Sequence, residues 1–452
     1  MIDRDRLAKL MNLERTRFAE RNPRSCAAAE VARAADLFGG VPMTWMAKTA
    51  GGFPLYFHGA SGNRVADLDG HELVDFSLGD TGAMAGHSPP ATVAAVTARF
   101  AEAGGATTMM PTEDAAIVAH ELSRRFGPLQ WSFALTATDA NRWAIRLSRA
   151  ATGRAKILVN AWCYHGSVDE TMIVTSAQGP TARPGDVGAP CEVTLTSRVA
   201  EYNDLDALER ELEHGDVAAV LMEPALTNVG IVLPEAGYLE GVRSLTRDAG
   251  ALLINDETHT FSAGPGGCTK AWALAPDIVT VGKAIAGGIP AAAYGLSADV
   301  VDRLDSRRDL DLVDTGGVGG TLAGNALSLA AARATLCEVL TDDVFETMIA
   351  RSARYTAGVE RTIAANDLDW TVTQLGARSE YRFVRPAPRN GTESQRATDI
   401  ELEDYLHLYL VNRDILLTPF HNMALMCPTT TDADIDLHVE VLDAAARALV
   451  DR

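Results

Sequence analysis

The chain has 452 residues, 47% hydrophobic and 22% charged, with 60 acidic against 40 basic side chains and a net charge of −20. That length calls for more than one core, and the composition is ordinary for a globular protein. The acidic balance argues against nucleic-acid or anionic-membrane binding, both of which need basic patches.

The N-terminal stretch MIDRDRLAKLMNLERTRFAERNP alternates charge with apolar residues at helical spacing and has no apolar core of a secretory leader. No apolar run approaches membrane-spanning length, so a cytoplasmic location is expected. PLYFHGASGNRVADLDGHELVDF follows, with strand runs broken by SGN and DG turns, and predicts a small hairpin or meander.

From about residue 90 to 335 short apolar runs alternate with amphipathic stretches. KILVNAW (156–162), VAAVLMEP (217–224), ALLIND (251–256) and DIVTVGK (277–283) read as strands buried on both faces. DANRWAIRLSRAATG and LPEAGYLEGVRSLTRDAG read as helices between them. This pattern predicts an α/β fold with a mostly parallel central sheet and helices on both faces.

Beyond 336 the character changes to α+β. A helix is expected from Val344 to Asn366, with strands near ARSEYRFV and DILLTPF and a closing helix ADIDLHVEVLDAAARALV. RPAPRNGTESQRA (385–397) reads as a mobile loop. The expected organisation is an N-terminal segment 1–85, a large α/β domain 86–335 and a small α+β domain 336–452 that also takes up the N-terminal segment.

Six cysteines (26, 163, 191, 268, 337, 427) show neither CxxC nor Cys/His spacing, so neither a disulfide frame nor a metal site is expected. GGVGGTLAG (316–324) and GPGGCTK (264–270) lack the order of a phosphate-binding loop; the first reads as a mobile segment at a dimer interface.

LLINDETHTF (252–261) drives a buried strand into two adjacent carboxylates, Asp256 and Glu257. Burying an unpartnered carboxylate costs several kcal/mol or forces protonation, so a positive partner is expected. In open parallel sheets ligands sit at the carboxyl ends of the strands. Those ends bring Asp256, Lys283 before AGGIP, Tyr164-His165-Gly166, and the helix opening of TATDAN (136–141). An acid, an amine, an aromatic and a helix N-terminus together suit pyridoxal phosphate, whose aldehyde takes a lysine, whose ring nitrogen needs a carboxylate and whose phosphate needs backbone N–H groups.

The chain resembles the class III (subgroup II) aminotransferases of pyridoxal-phosphate fold-type I, within them the glutamate-1-semialdehyde aminomutase branch. The resemblance runs over nearly the whole chain. It is carried by GHSPPATVAAV (86–96), TATDANRWAIRLSRAATG (136–153), YHG (164–166), EPALTNVG (223–230), LLINDETHT (252–260), PDIVTVGKAIAGGIPAAAYG (276–295) and GTLAGNALSLAA (320–331). It implies that Lys283 forms the imine with the cofactor and moves the proton, and that Asp256 holds the ring nitrogen. Ala137 and Thr138 would bind the phosphate, Tyr164 would stack on the ring beside His165, and Glu223 and Asn228 would shape the site. Thr321 would reach the phosphate of a neighbouring subunit, since such active sites are shared across a homodimer.

Four departures bear on chemistry. Ala137 stands where the family usually has glycine, and Thr258 where it usually has valine. Met46 in GGVPMTWMAK stands about where the aminomutases carry an arginine for the substrate carboxylate, and Thr81 in GDTGAM replaces an aromatic. Arg378 and Arg382 in GARSEYRF are alternative carboxylate clamps, and His421 with Asn422 are further pocket candidates. His259 has two readings, hydrogen-bonded packing or substrate contact.

The expected activity is a transaminase that moves an amino group from an amine or amino acid, β- or ω-amino included, to a carbonyl acceptor. An intramolecular aminomutase or a racemase on the same cofactor is the alternative. A nucleotide-binding protein on a doubly wound sheet is a third reading, and it predicts no chromophore.

Overall fold

The computed structural model describes residues 2–188 and 192–450; Cys191 lies outside them. The chain divides into two units, Met1–Ser88 with Thr347–Ala387 and Ala397–Arg452, and Pro89–Glu346 with Pro388–Arg396.

The second unit is built on a seven-stranded sheet. Its spatial order is Gln130–Ala134, Ala292–Leu296, Ile278–Val281, Leu252–Asp256, Val217–Met222, Lys156–Asn160, Ser197–Ala200. Every pairing is parallel except the two made by Ala292–Leu296. All residues of the three central strands 217–222, 252–256 and 278–281 are buried. A fully buried aliphatic side chain contributes roughly 1.5–3 kcal/mol relative to an exposed one, so these apolar runs supply much of the core. The long apolar runs of the sequence have this cause: helices cover both faces of a parallel sheet.

Helix Ala137–Thr152 packs against the central strands. Thr136 caps it, accepting from the Asp139 N–H at 3.1 Å and donating to Asp139 Oδ2 at 2.8 Å. Gly153, left-handed at φ +69°, ends it. This places the helix N-terminus at the carboxyl edge of the sheet.

The segment 385–397, expected as a mobile loop, contains a helix, Gly391–Arg396. Asn390 caps it through the Glu393 N–H at 2.8 Å. Its first residue is glycine for a packing reason, since a Cβ there would lie 2.1 Å from the Ala161 carbonyl oxygen.

The first unit joins both ends of the chain. A meander of Phe57–Ser61, Arg64–Asp67 and Glu72–Asp75 is extended by Ile415–Leu416. A second sheet contains Thr371–Leu375, Arg378–Arg382 and Met423–Leu425, all antiparallel. Helix Arg4–Arg21 packs on Ile400–Val411. Buried Glu14 ties the two, accepting from Asn412 Nδ2 at 2.7 Å and pairing with Arg413 at 3.1 Å. No helix among the described residues is long and apolar enough to cross a membrane.

Candidate active site

The two carboxylates of LLINDETHTF have separate duties. Glu257 is fully buried and turned into the fold: its oxygens accept from the N–H groups of Thr269 at 2.6 Å and Cys268 at 3.1 Å, and from the Thr260 hydroxyl at 2.5 Å. Burial pushes its carboxyl above the ordinary range against those bonds. A Cβ at Gly267, φ +58°, would meet the Glu257 carboxylate at 2.3 Å, so glycine is required at the start of helix Gly267–Ala271.

Asp256 heads a polar network. Its Oδ2 accepts from Asn141 Nδ2 at 2.8 Å and pairs with His165 Nδ1 at 2.9 Å, and its Oδ1 accepts from the Thr258 N–H at 3.0 Å. Asn141 also donates to the His165 carbonyl at 3.1 Å and accepts from the Thr280 hydroxyl at 2.7 Å. Burial alone would raise the Asp256 carboxyl; hydrogen bonding and charge from His165, with Thr258 and Asn141, outweigh it and hold the group at about 2. The carboxylate is therefore ionised at neutral pH. Burial would lower His165, while Cys163 and the Asp256 carboxylate raise it well above its ordinary value.

Lys283 lies on the neighbouring strand edge. Asp256 pairs in register with Thr280, so the amine-bearing residue follows three positions beyond that register point. Lys283 is half-buried, and its backbone is left-handed at φ +51°. Such a conformation costs a non-glycine residue roughly 1–3 kcal/mol and concentrates at functional sites. Its Nζ lies 2.7 Å from His259 Nε2.

The helix N-terminus forms a cradle with the turn after Lys156–Asn160. Gly166, φ +86°, leaves space beside Thr138: a Cβ there would fall 2.1 Å from Thr138 Oγ1. That hydroxyl accepts from the Ser167 N–H at 3.2 Å. The Ala137 methyl group lies against Gly282, where an added Cβ would meet it at 3.1 Å, so the alanine is accommodated by glycine on the adjoining strand. Tyr164 is half-buried between buried Cys163 and His165. Glu223, at the end of strand 217–222, accepts from the Thr227 hydroxyl, and Asn228 donates to the Trp162 carbonyl at 2.9 Å. Thr258 is buried, and its hydroxyl oxygen has no hydrogen-bond partner among the described residues. These features fit pyridoxal phosphate: an ionised acid, a half-buried amine just past the adjacent strand, a helix N-terminus closely approached by a glycine, and a buried hydroxyl without a hydrogen-bond partner among the described residues. Thr321 is exposed on the wall of a cavity of about 1020 Å³ that Arg142, Arg146 and Arg149 also line.

The remaining candidates lie in the first unit. Thr81 is fully buried with φ +83°, a rare conformation for a β-branched residue. Met46 is 51% exposed. It lines a cavity of about 400 Å³ together with Lys48, Ser77 and His407. Arg378, Glu380 and Arg382 alternate on one strand and are all buried. Arg378 approaches Asp80 at 4.0 Å, Arg382 approaches Glu403 at 3.7 Å, and His421 Nδ1 meets Glu380 at 3.1 Å. Burial would raise Glu380, but His421, Arg378 and Arg382 hold it below the ordinary range. The two arginines thus sit in a buried cluster already containing carboxylates.

Sequence reasoning did not single out Asn141 or Thr280. A signal existed in the helix: Asn141 is polar on the face that buries Ala140, Ala144 and Leu147. Thr280 carried no such signal, because a threonine in an apolar strand is common.

The sequence profile of the family described as aminotransferase class-III matches residues 45–444. A glutamate-1-semialdehyde 2,1-aminomutase of Desulfitobacterium hafniense is 33% identical over 402 residues, covering 87% of this chain and 91% of that one. The crystal structure of a glutamate-1-semialdehyde-aminomutase from Pseudomonas aeruginosa PAO1 superposes with a TM-score of 0.96 at 47% identity, covering 99% of each chain. A lysine-to-alanine variant of that protein, 46% identical to this chain, was solved in complex with PMP, with the same TM-score and coverage. An omega-transaminase from Sphaerobacter thermophilus gives 0.84 at 28% identity, covering 94% of this chain and 97% of that one.

Proposed function

The chain belongs to the aminotransferase class-III family and its cofactor is pyridoxal phosphate, and from that premise we propose that it moves an amino group between two carbons of one substrate. The sequence reading put transfer to a separate carbonyl acceptor first. Relatives named as aminomutases support the intramolecular version better.

The observation that carries the chemistry is the placement of Asp256 and Lys283 at the same edge of adjacent parallel strands. Bound pyridoxal phosphate supplies an aldehyde that holds an amine and a ring that draws electrons from the neighbouring carbon. Asp256, ionised and held by His165 and Asn141, keeps a proton on the ring nitrogen. Ala137 and Thr138 receive the phosphate at the helix N-terminus, where the N–H groups and the dipole favour an anion. Tyr164 would cover the ring. Lys283 would hold the cofactor through Nζ, and the same atom would serve as the base that moves a proton between carbons.

Met46 in place of an arginine supports a substrate whose acid end is held differently from that of the named relatives. The enzyme works in the cytoplasm as a homodimer, with Thr321 reaching the neighbouring phosphate.

Met46 and the omega-transaminase likeness favour a second reading, transfer to a free keto acid. The deciding experiment incubates the holoenzyme with glutamate-1-semialdehyde and with β- and ω-amino acids, without any acceptor, and locates the amino group by mass spectrometry. Relocation without acceptor supports the proposal. Turnover only after pyruvate or 2-oxoglutarate is added overturns it in favour of the second reading.

A further inference from the structure

We propose that His259 is a catalytic residue that exchanges a proton with Lys283; the proposal rests on the reading of Lys283 as the residue that holds the cofactor. An ordinary lysine amine is protonated at neutral pH, yet only the neutral amine attacks an aldehyde or accepts a proton from carbon. A group must take that proton and give it back each time Lys283 attaches and detaches. His259 Nε2 lies 2.7 Å from Nζ, within direct transfer distance, and imidazole is the side chain whose ordinary pKa lies nearest neutrality.

The surroundings hold this arrangement in place. The His259 carbonyl accepts from the Ser262 hydroxyl at 2.9 Å and from the Ser262 N–H at 3.2 Å, which fixes the turn. Asp256 and Glu257, the nearest carboxylates in sequence, are committed to His165 and Asn141 and to Thr269 and Cys268. Lys283 is presented by its left-handed backbone. Both residues are half-buried.

The step balances without a further reactant. One Nζ–H bond breaks and one Nε2–H bond forms, the electron pair of the broken bond stays on Nζ as the lone pair, and the positive charge passes to the imidazole. When substrate displaces Lys283, the proton returns to Nζ.

The test uses holoenzyme and methoxyamine, which displaces a lysine from the cofactor, followed by stopped-flow absorbance. H259F and H259Q are expected to slow displacement about 10²-fold, the lower end of what a positioned acid–base group supplies. Imidazole in the buffer should restore H259G in proportion to its concentration. A wild-type rate in H259Q, which keeps a hydrogen-bonding group but cannot titrate, overturns the proposal, as does an H259G variant indifferent to imidazole. Should H259G not fold, H259Q decides the matter alone. A Lys283→Ala protein that keeps the wild-type absorbance band would instead sink the cofactor reading, a distinguishable failure.

Discussion

His165 Nδ1 and Asp256 Oδ2 lie 2.9 Å apart, both side chains buried, the first in the loop after strand Lys156–Asn160 and the second at the end of strand Leu252–Asp256. A carboxylate placed there to meet a ring cation must stay charged when no ligand is present, and His165 supplies the compensation. Removing one partner of a buried pair typically costs about 3–5 kcal/mol, so His165→Phe should lower the urea-unfolding free energy by that order. Asp256 is depressed from 3.8 to about 2, so its contribution is complete above about 4 and lost as pH falls through 2. His165 is raised from 6.5, so its contribution is complete below 6.5 and lost as pH rises through its folded-state value. The gap between wild type and variant should therefore be widest between pH 4 and 6.5, which unfolding curves at pH 3, 5 and 9 would check.

Glu257 should behave oppositely to its neighbour. Glu257→Gln replaces one accepting oxygen by a donor facing the Thr269 or Cys268 N–H, and an unsatisfied buried group costs about 1–3 kcal/mol. Cofactor affinity should stay within a factor of about two, since that carboxylate faces away from the Asp256 network. Asp256→Asn should do the reverse in a holoenzyme titration, weakening cofactor retention at least about tenfold through loss of a charge-assisted bond. Because burial raises Glu257, the stability it gives is complete below 4.5 and declines as pH climbs through its folded-state value.

Gly166→Ala tests the phosphate cradle. The new methyl group would fall 2.1 Å from Thr138 Oγ1 in a backbone at φ +86°, which costs roughly 1–2 kcal/mol in conformation alone. The expected outcome is a cofactor dissociation constant raised about tenfold or more, 1.4 kcal/mol being tenfold, with Thr138 displaced. Fluorescence titration of the variant would measure it. Unchanged affinity would mean that this helix N-terminus is not where the phosphate binds.

These predictions also mark what the sequence discloses. The strands at 156, 217, 252 and 278 were legible because two-sided burial leaves continuous apolar runs. The acid and the amine were legible because polar residues ending such strands are otherwise costly. The helix at 391–396 was hidden, because a short polar stretch rich in turn formers reads as loop until Ala161 is seen to pack on Gly391. The separate fates of Asp256 and Glu257 were hidden as well, since they depend on Asn141, His165 and Thr269, distant along the chain and near only in the fold. His259 could not be placed from its neighbours, because the residue it touches lies on another strand.

Arg378 offers the sharpest separation of substrate binding from stability. The guanidinium is fully buried and approaches Asp80 at 4.0 Å. Arg378→Met should therefore destabilise the protein by about 3 kcal/mol, because Asp80 and Glu380 each lose a neighbouring positive charge. Adding Asp80→Asn removes one of the two affected charges, so the double variant should recover part of that loss. If Arg378 also holds the substrate carboxylate, KM in the double variant should remain raised about 10- to 100-fold with kcat little changed, the signature of lost uniform binding. If the arginine serves packing alone, KM should recover together with stability. Steady-state kinetics and urea unfolding on the same three proteins separate the outcomes, because stability follows the charge left behind whereas KM follows the guanidinium itself.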